Sequence, residues 1–176
     1  MPPSAPAHRF EVDRPGVVEG NQGHTYGLSF WLPFSNSRFG DAYSYRSFYL
    51  PSFGIRGGDI EAQKKAHAER RRIAGYMLGD YYPLTSYTPQ RDHWIAWQFD
   101  RPEIGEGVVQ AFCRPESPYE SARYKLHGLD AGATYQVENF DGGTETATGT
   151  SLRERGLAIT AKEAPAAMIF TYRRVK

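Results

Sequence analysis

Residues 79–118, GDYYPLTSYTPQRDHWIAWQFDRPEIGEGVVQAFCRPESP, join two halves of a 176-residue chain that read differently. The stretch holds two strand candidates, His93–Phe99 and Gly107–Arg114. Between them lies Asp100–Glu106, a connection punctuated by Pro102 and Gly105. Downstream, short extended runs recur at 122–126, 134–138, 144–148, 157–161 and 167–173. They are separated by turn chemistry such as Gly128-Leu129-Asp130-Ala131-Gly132 and Asp141-Gly142-Gly143. Strands at this spacing, with no helix expected between them, predict an antiparallel β-sandwich over 79–176.

Upstream the pattern differs. Residues 10–23 contain Pro15, Gly16, Gly20 and Gly23 and read as loop, with Val17 and Val18 a brief extended piece. Thr25–Phe34 is apolar on both alternating faces, which predicts a strand buried on both sides, ended by Pro33. Asp41 is placed to cap a short helix over 42–48. Asp59 is placed to cap a second one from Ile60 to about Leu78, with Ile60, Ala66, Ile73, Ala74 and Met77 as its apolar stripe and Gly79 as its stop. Strand, loop and helix here make one α/β unit without the neighbours such a unit needs. Its apolar faces, 28–34 and the Ile60 helix, are expected to be exposed and to drive self-association or pairing with a missing N-terminal segment.

Composition narrows the function. A chain 40% hydrophobic and 14% aromatic is globular and long enough to bury a core. A net charge of +1 offers no field for nucleic acid. The cluster Arg70-Arg71-Arg72 sits in a helical pattern and reads as a solvated face. Cys113 is the only cysteine and reads as a small buried hydrophobe in a strand. No His/Cys cluster has ligand spacing and no phosphate-loop pattern occurs, so no metal or other cofactor is expected. No run is apolar enough to span a membrane, and MPPSAPAHRF lacks a signal-peptide core. The expected location is the cytoplasm.

Several motifs in order carry a resemblance. Gly79-Asp80-Tyr81-Tyr82-Pro83-Leu84-Thr85 is followed by Trp94–Pro102, then Gly105-Glu106-Gly107, then Arg114-Pro115-Glu116-Ser117. Ser151-Leu152 and Gly156-Leu157 continue the series. Upstream stand Gly20-Asn21-Gln22, His24-Thr25-Tyr26-Gly27 and Phe30-Trp31-Leu32-Pro33. In this order, the set resembles the end of the catalytic barrel and the C-terminal β-domain of glycoside hydrolase family 36, the retaining α-galactosidases. The resemblance covers about residues 13–174. It implies an α+β chain: a tail at 1–12, a remnant of the last (β/α) units of a TIM barrel at 13–78, and the antiparallel sandwich at 79–176.

A (β/α)8 barrel takes about 250 residues, so the resemblance implies a truncated enzyme. Retaining hydrolysis uses two carboxyl groups about 5 Å apart, one a nucleophile and one an acid/base. The family's nucleophile lies in a Lys-x-Asp motif, which this chain lacks. Its acid/base aspartate falls, by position, on Asp13, where Glu11 and Val12 replace the family's Arg and Ser. Without the resemblance, Asp13 is an acidic residue in a loop. Asn21 and His24 are the candidates for contacting a galactoside-type carbohydrate, His24 being equally readable as a locally bonded histidine. Trp31 reads as barrel core. The expected function is the C-terminal portion of an α-galactosidase-like hydrolase, inactive alone. The alternatives are a carbohydrate-binding module, with Tyr81, Tyr82, Tyr119 and Tyr135 as sugar platforms, and a structural or oligomerisation module.

Overall fold

A computed structural model describes residues 17–28, 34–38, 41–49, 52–56 and 59–175. Its centre is a six-stranded sheet in the order β3-β4-β5-β10-β7-β8, with every neighbouring pair antiparallel. The strands are β3 (Asp80–Pro83), β4 (Ile95–Arg101), β5 (Glu106–Cys113), β7 (Thr134–Asn139), β8 (Thr144–Thr148) and β10 (Ala166–Arg174). β6 (Ser121–Tyr124) and β9 (Leu157–Thr160) form a separate antiparallel pair. The expected strands are therefore present, with shifted ends. β3 and a short helix α4 (Gly149–Glu154) were not legible in the apolar pattern.

Both faces of the large sheet are covered. On one face Ala96, Val109, Ala111, Met168 and Phe170 pack with Leu126, Leu152, Leu157 and Ile159, contributed by the β6–β9 pair, α4 and the adjoining chain. Cys113 belongs to this core, as its neighbours predicted. On the other face Ile95, Trp97, Phe99, Val108, Phe112 and Ile169 meet Tyr26, Tyr43, Tyr49, Ala66, Ile73 and Met77. These last belong to a helical layer: α1 (Val17–Leu28), α2 (Ala42–Arg46) with the turn after it that holds Tyr49, α3 (Ile60–Ile73) and a 3-10 turn at Tyr76–Leu78. The central strands β4 and β5 are accordingly buried at nearly every position, because alternate side chains enter two different cores.

The helices form where their caps predict. The Asp41 carboxylate accepts from Ser44 N at 3.0 Å, and that of Asp59 from Ala62 N at 3.1 Å. α3 ends at Ile73 and the chain continues through the 3-10 turn. Ile60 is 66% exposed, so the stripe that packs is Ala66, Ile73 and Met77. Gly79 does not close the helix in a left-handed conformation, since its φ is −87°. It is required because a Cβ there would lie 2.0 Å from the Asp100 carbonyl oxygen.

Two expectations are corrected. The Ile60 helix does not expose its apolar face, which the six-stranded sheet covers. Residues 17–28 are helix rather than loop followed by strand. Among the α1 side chains described, the buried ones are Glu19, Gln22, Thr25 and Tyr26, spaced as a helix requires but mostly polar, so the apolar period does not reveal them. Of the expected strand 25–34, residues 25–28 end α1 and residues 29–33, with Trp31, lie outside the described residues. Beyond them, β1 (Phe34–Arg38) and β2 (Ser52–Arg56) pair in parallel on either side of α2. No helix among the described residues is long and apolar enough to cross a membrane.

Candidate functional site

The candidate residues fall at the start of the chain. Asp13 lies outside the described residues, and for Asn21 and His24 only the backbone is described, one turn apart in α1. What the structure resolves is how that helix is held. Gln22 is fully buried; its Nε2 donates to Ser47 Oγ at 3.1 Å and its Oε1 accepts from Arg114 Nε at 3.0 Å. Thr25 Oγ1 donates to the Ser47 carbonyl at 2.8 Å, and Tyr26 OH to the Thr85 carbonyl at 2.7 Å. Glu19 accepts from Tyr43 OH at 3.2 Å and faces Arg91 at 3.8 Å.

Arg114 is the sheet's contribution to this seam. It follows β5, is fully buried, and donates through Nη1 to the carbonyls of Thr88 and Gln90 at 2.7 and 2.5 Å. Its Nη2 is buried without a hydrogen-bond partner. Burial holds its guanidinium pKa below the usual value, partly offset by Tyr43 and Glu19. Burial and then the Glu19 charge push the Tyr43 hydroxyl well up, so it stays a neutral donor. A helix carrying Asn21 and His24 is thus fastened to the β-domain by polar side chains that water cannot easily replace.

A second polar knot ties the helical layer to the sheet's far end. Arg46, at 3% exposure, donates to Glu69 at 2.8 and 3.1 Å, to both Asp141 carboxylate oxygens, and to the Ala167 carbonyl at 2.7 Å. Tyr49 OH also donates to Glu69, at 3.1 Å. Burial alone would weaken the Arg46 charge, but its hydrogen bonds to the Asp141 and Glu69 carboxylates outweigh it and raise its pKa.

Neither knot is a glycosidase dyad. The two buried carboxylates among the described residues, Glu19 and Asp100, lie on opposite sides of the six-stranded sheet. Glu69 and Asp141 converge on Arg46 instead of on open space. No group of three His, Cys, Asp or Glu among the described residues is placed to hold a metal.

Of the four aromatic platforms, Tyr135 is corrected. Tyr135 is 3% exposed and part of the core. Tyr81 is half-buried and its hydroxyl donates to the Tyr26 carbonyl at 2.9 Å. Tyr82 stacks on the His127 ring with centroids 5.0 Å apart. Tyr119 is exposed, at 70%. Of the arginine cluster, Arg72 is committed, pairing with Glu138 at 2.7 Å and lying 4.0 Å over the Phe140 ring.

Comparison with known proteins places this fold. The glycosyl hydrolase family 36 C-terminal domain matches residues 94–171. No curated protein matches the chain. Among solved structures, the galactosidase domain of the α-galactosidase-sucrose kinase AgaSK superposes with a TM-score of 0.70 at 19% identity, over 90% of this chain and 25% of its own. The GH36 α-galactosidase AgaB from Geobacillus stearothermophilus gives the same TM-score and identity, over 90% of this chain and 24% of its own. AgaA from the same organism superposes at 0.62 and 20% identity, over 81% of this chain and 21% of its own. At such identities the likeness is one of fold, and the chain spans 21–25% of the length of these structures. Residues 94–171, which hold β4, β5, β7 and most of β10, thus match the glycosyl hydrolase family 36 C-terminal domain, and the mostly antiparallel fold built on them is the one these structures share.

Proposed function

We propose that this chain serves as the C-terminal portion of an α-galactosidase-like glycoside hydrolase. In this reading residues 13–78 continue a (β/α)8 catalytic barrel, residues 79–176 support it, and the chain alone does not turn over substrate. The observation that carries the reading is the extent of the structural likeness. It covers 90% of the chain, well beyond residues 94–171, and so takes in part of the layer that packs on the sheet. The parallel β1–β2 pair flanking α2 is in keeping with a barrel segment.

The parent chemistry would be retaining hydrolysis of terminal α-galactosides through a covalent glycosyl-enzyme. Asp13 is the acid/base candidate, and Asn21 and His24 are candidates for binding sugar hydroxyls. The nucleophile would come from another segment. The Gln22–Arg114 and Thr25–Ser47 bonds then act by positioning: they fix the helix that carries Asn21 and His24.

The test has two arms. With a chromogenic α-galactoside the purified chain is expected to hydrolyse no faster than buffer. Turnover on the order of 1 s⁻¹ or more, the usual enzyme range, refutes inactivity. Second, the chain replaces the corresponding C-terminal quarter of AgaB. A folded chimera is expected to retain α-galactoside hydrolysis; one that melts cooperatively but hydrolyses nothing refutes the supporting role.

A further inference from the structure

A cleft of about 310 Å³ opens at the end of the sheet face, where the helical layer stops. Its floor is a row of polar side chains set by strand register. Glu106 of β5 pairs with Arg173 of β10, and Arg173 pairs with Gln136 of β7. With strands about 4.8 Å apart, the row is about 10 Å long. Arg72 and Tyr76, from α3 and the 3-10 turn, form the wall, and Glu138 stands beside the row.

These groups are held in place before any ligand arrives. Arg173 Nε donates to Gln136 Oε1 at 2.8 Å, and Arg72 Nη2 donates to Glu138 Oε1 at 2.7 Å. Arg72 is also seated on Phe140. Tyr76 stands beside Glu106, and its half-buried ring packs against the core beneath. The same sheet face is apolar where the helices cover it, through Ile95, Trp97, Phe99 and Ile169. Under the helices Gln110 interrupts that run, bonded by Trp97 and donating to the Arg46 carbonyl, while the polar groups open to a ligand line the cleft.

We propose that this cleft binds a neutral saccharide of one or two sugar units. Two arginines are balanced by two glutamates, so the lining carries no net charge and favours neither a free anion nor a cation. What it offers is closely spaced donors and acceptors beside an aromatic ring. That suits vicinal hydroxyls, each of which donates and accepts, and a sugar face that is apolar. The volume is at the small end of ligand pockets, which excludes a long chain lying wholly inside. The choice of an α-galactoside as the main probe rests on the proposed function.

The test is titration calorimetry on the full chain with melibiose, raffinose, maltose and sodium sulfate. Arg173→Met and Gln136→Leu alter exposed or half-exposed side chains, and their melting curves verify folding. Tyr119→Ala changes an exposed aromatic that does not line the cleft. Millimolar melibiose binding is expected, weakened about tenfold by each cleft variant, as loss of a charge-assisted or buried polar partner implies, and unchanged in Tyr119→Ala. No saccharide binding at tens of millimolar, variants that bind as the wild type does, loss of binding in Tyr119→Ala, or preference for sulfate each overturn the proposal. Maltose binding without melibiose binding supports the cleft and counts against the galactoside reading. The hydrolysis assays read neither result, so the two proposals fail separately.

Discussion

Replacing Arg46 by alanine is the perturbation that best separates a buried polar knot from a decorative one. The side chain is 3% exposed and sits between α3, the β7–β8 turn and β10. Removing one partner of a buried ion pair costs about 3–5 kcal/mol, mostly because the survivors are stranded. Here the survivors differ. Glu69 is 16% exposed and keeps only Tyr49, whereas the Asp141 side chain is 50% exposed and water can take over its bonds. The Asp141 share is therefore worth at most about 1 kcal/mol, and the whole lies near the low end, about 3 kcal/mol. For a chain of this size that lowers Tm by about 6–12 °C. Asp141→Ala is expected to cost about 1 kcal/mol. The Arg46 hydrogen bond holds the Asp141 carboxyl below its ordinary pKa. Its contribution is thus present above the unfolded value, about 3.9, and is lost as pH falls through the lower folded value. Thermal melts followed by circular dichroism at pH 7 and in acid are the assay. Arg46→Ala melting within about 2 °C of wild type, or Asp141→Ala costing as much as Arg46→Ala, refutes this apportioning.

Other outcomes follow from the two cores. Trp97, fully buried with its Nε1 donating to Gln110 at 3.0 Å, is expected to cost about 3–5 kcal/mol as alanine, read by urea unfolding. Gly79→Ala drives a methyl onto a backbone carbonyl and is expected to cost about 1–3 kcal/mol by the same measurement. Asp100 is buried, and burial raises its pKa despite the Tyr172 hydroxyl donating to it at 2.6 Å. The folded state therefore holds its proton to higher pH than the unfolded state does. Stability falls as pH rises from about 3.9 through the raised value. Asp100→Asn is expected to remove that fall, so the two Tm–pH curves diverge across this window and run parallel above it; curves parallel throughout refute it. A segment of residues 79–176 alone is expected to bind the dye ANS and aggregate, since it bares Ile95, Phe99, Val108 and Ile169.

The parts of the fold that were legible share a cause. β4, β5, the Asp141-Gly142-Gly143 hairpin and the Asp41 and Asp59 caps depend on local chemistry that neighbouring residues display. α1 was not legible because the buried side chains described in it are Glu19, Gln22, Thr25 and Tyr26, whose burial depends on partners such as Arg114, 92 residues from Gln22. β3 escaped because Asp80–Pro83 is a four-residue edge strand ending in proline. Tyr135 misled for a related reason: a strand tyrosine can face either way, and only the register shows that it faces the core. Asp13, Asn21 and His24 came from resemblance alone, and no local pattern marks them. The cleft was invisible in sequence, since Arg72, Glu106, Gln136 and Arg173 meet only when four elements assemble.

The doubly covered sheet separates two notions of a unit that are often treated as one. The segment that family likeness delimits starts at Trp94, in the middle of material whose inner face is finished by Tyr43, Tyr49, Ala66 and Ile73. What is inherited as a module and what can be cut out as a body are thus different lengths of chain. A fusion or domain exchange that cuts at residue 94 divides a core; a cut ahead of α1 does not divide these contacts. A fold with this wiring also reports upstream damage at a distance. A lesion in the helical layer would register as loss of order in the β-domain, and the two would be expected to melt as one.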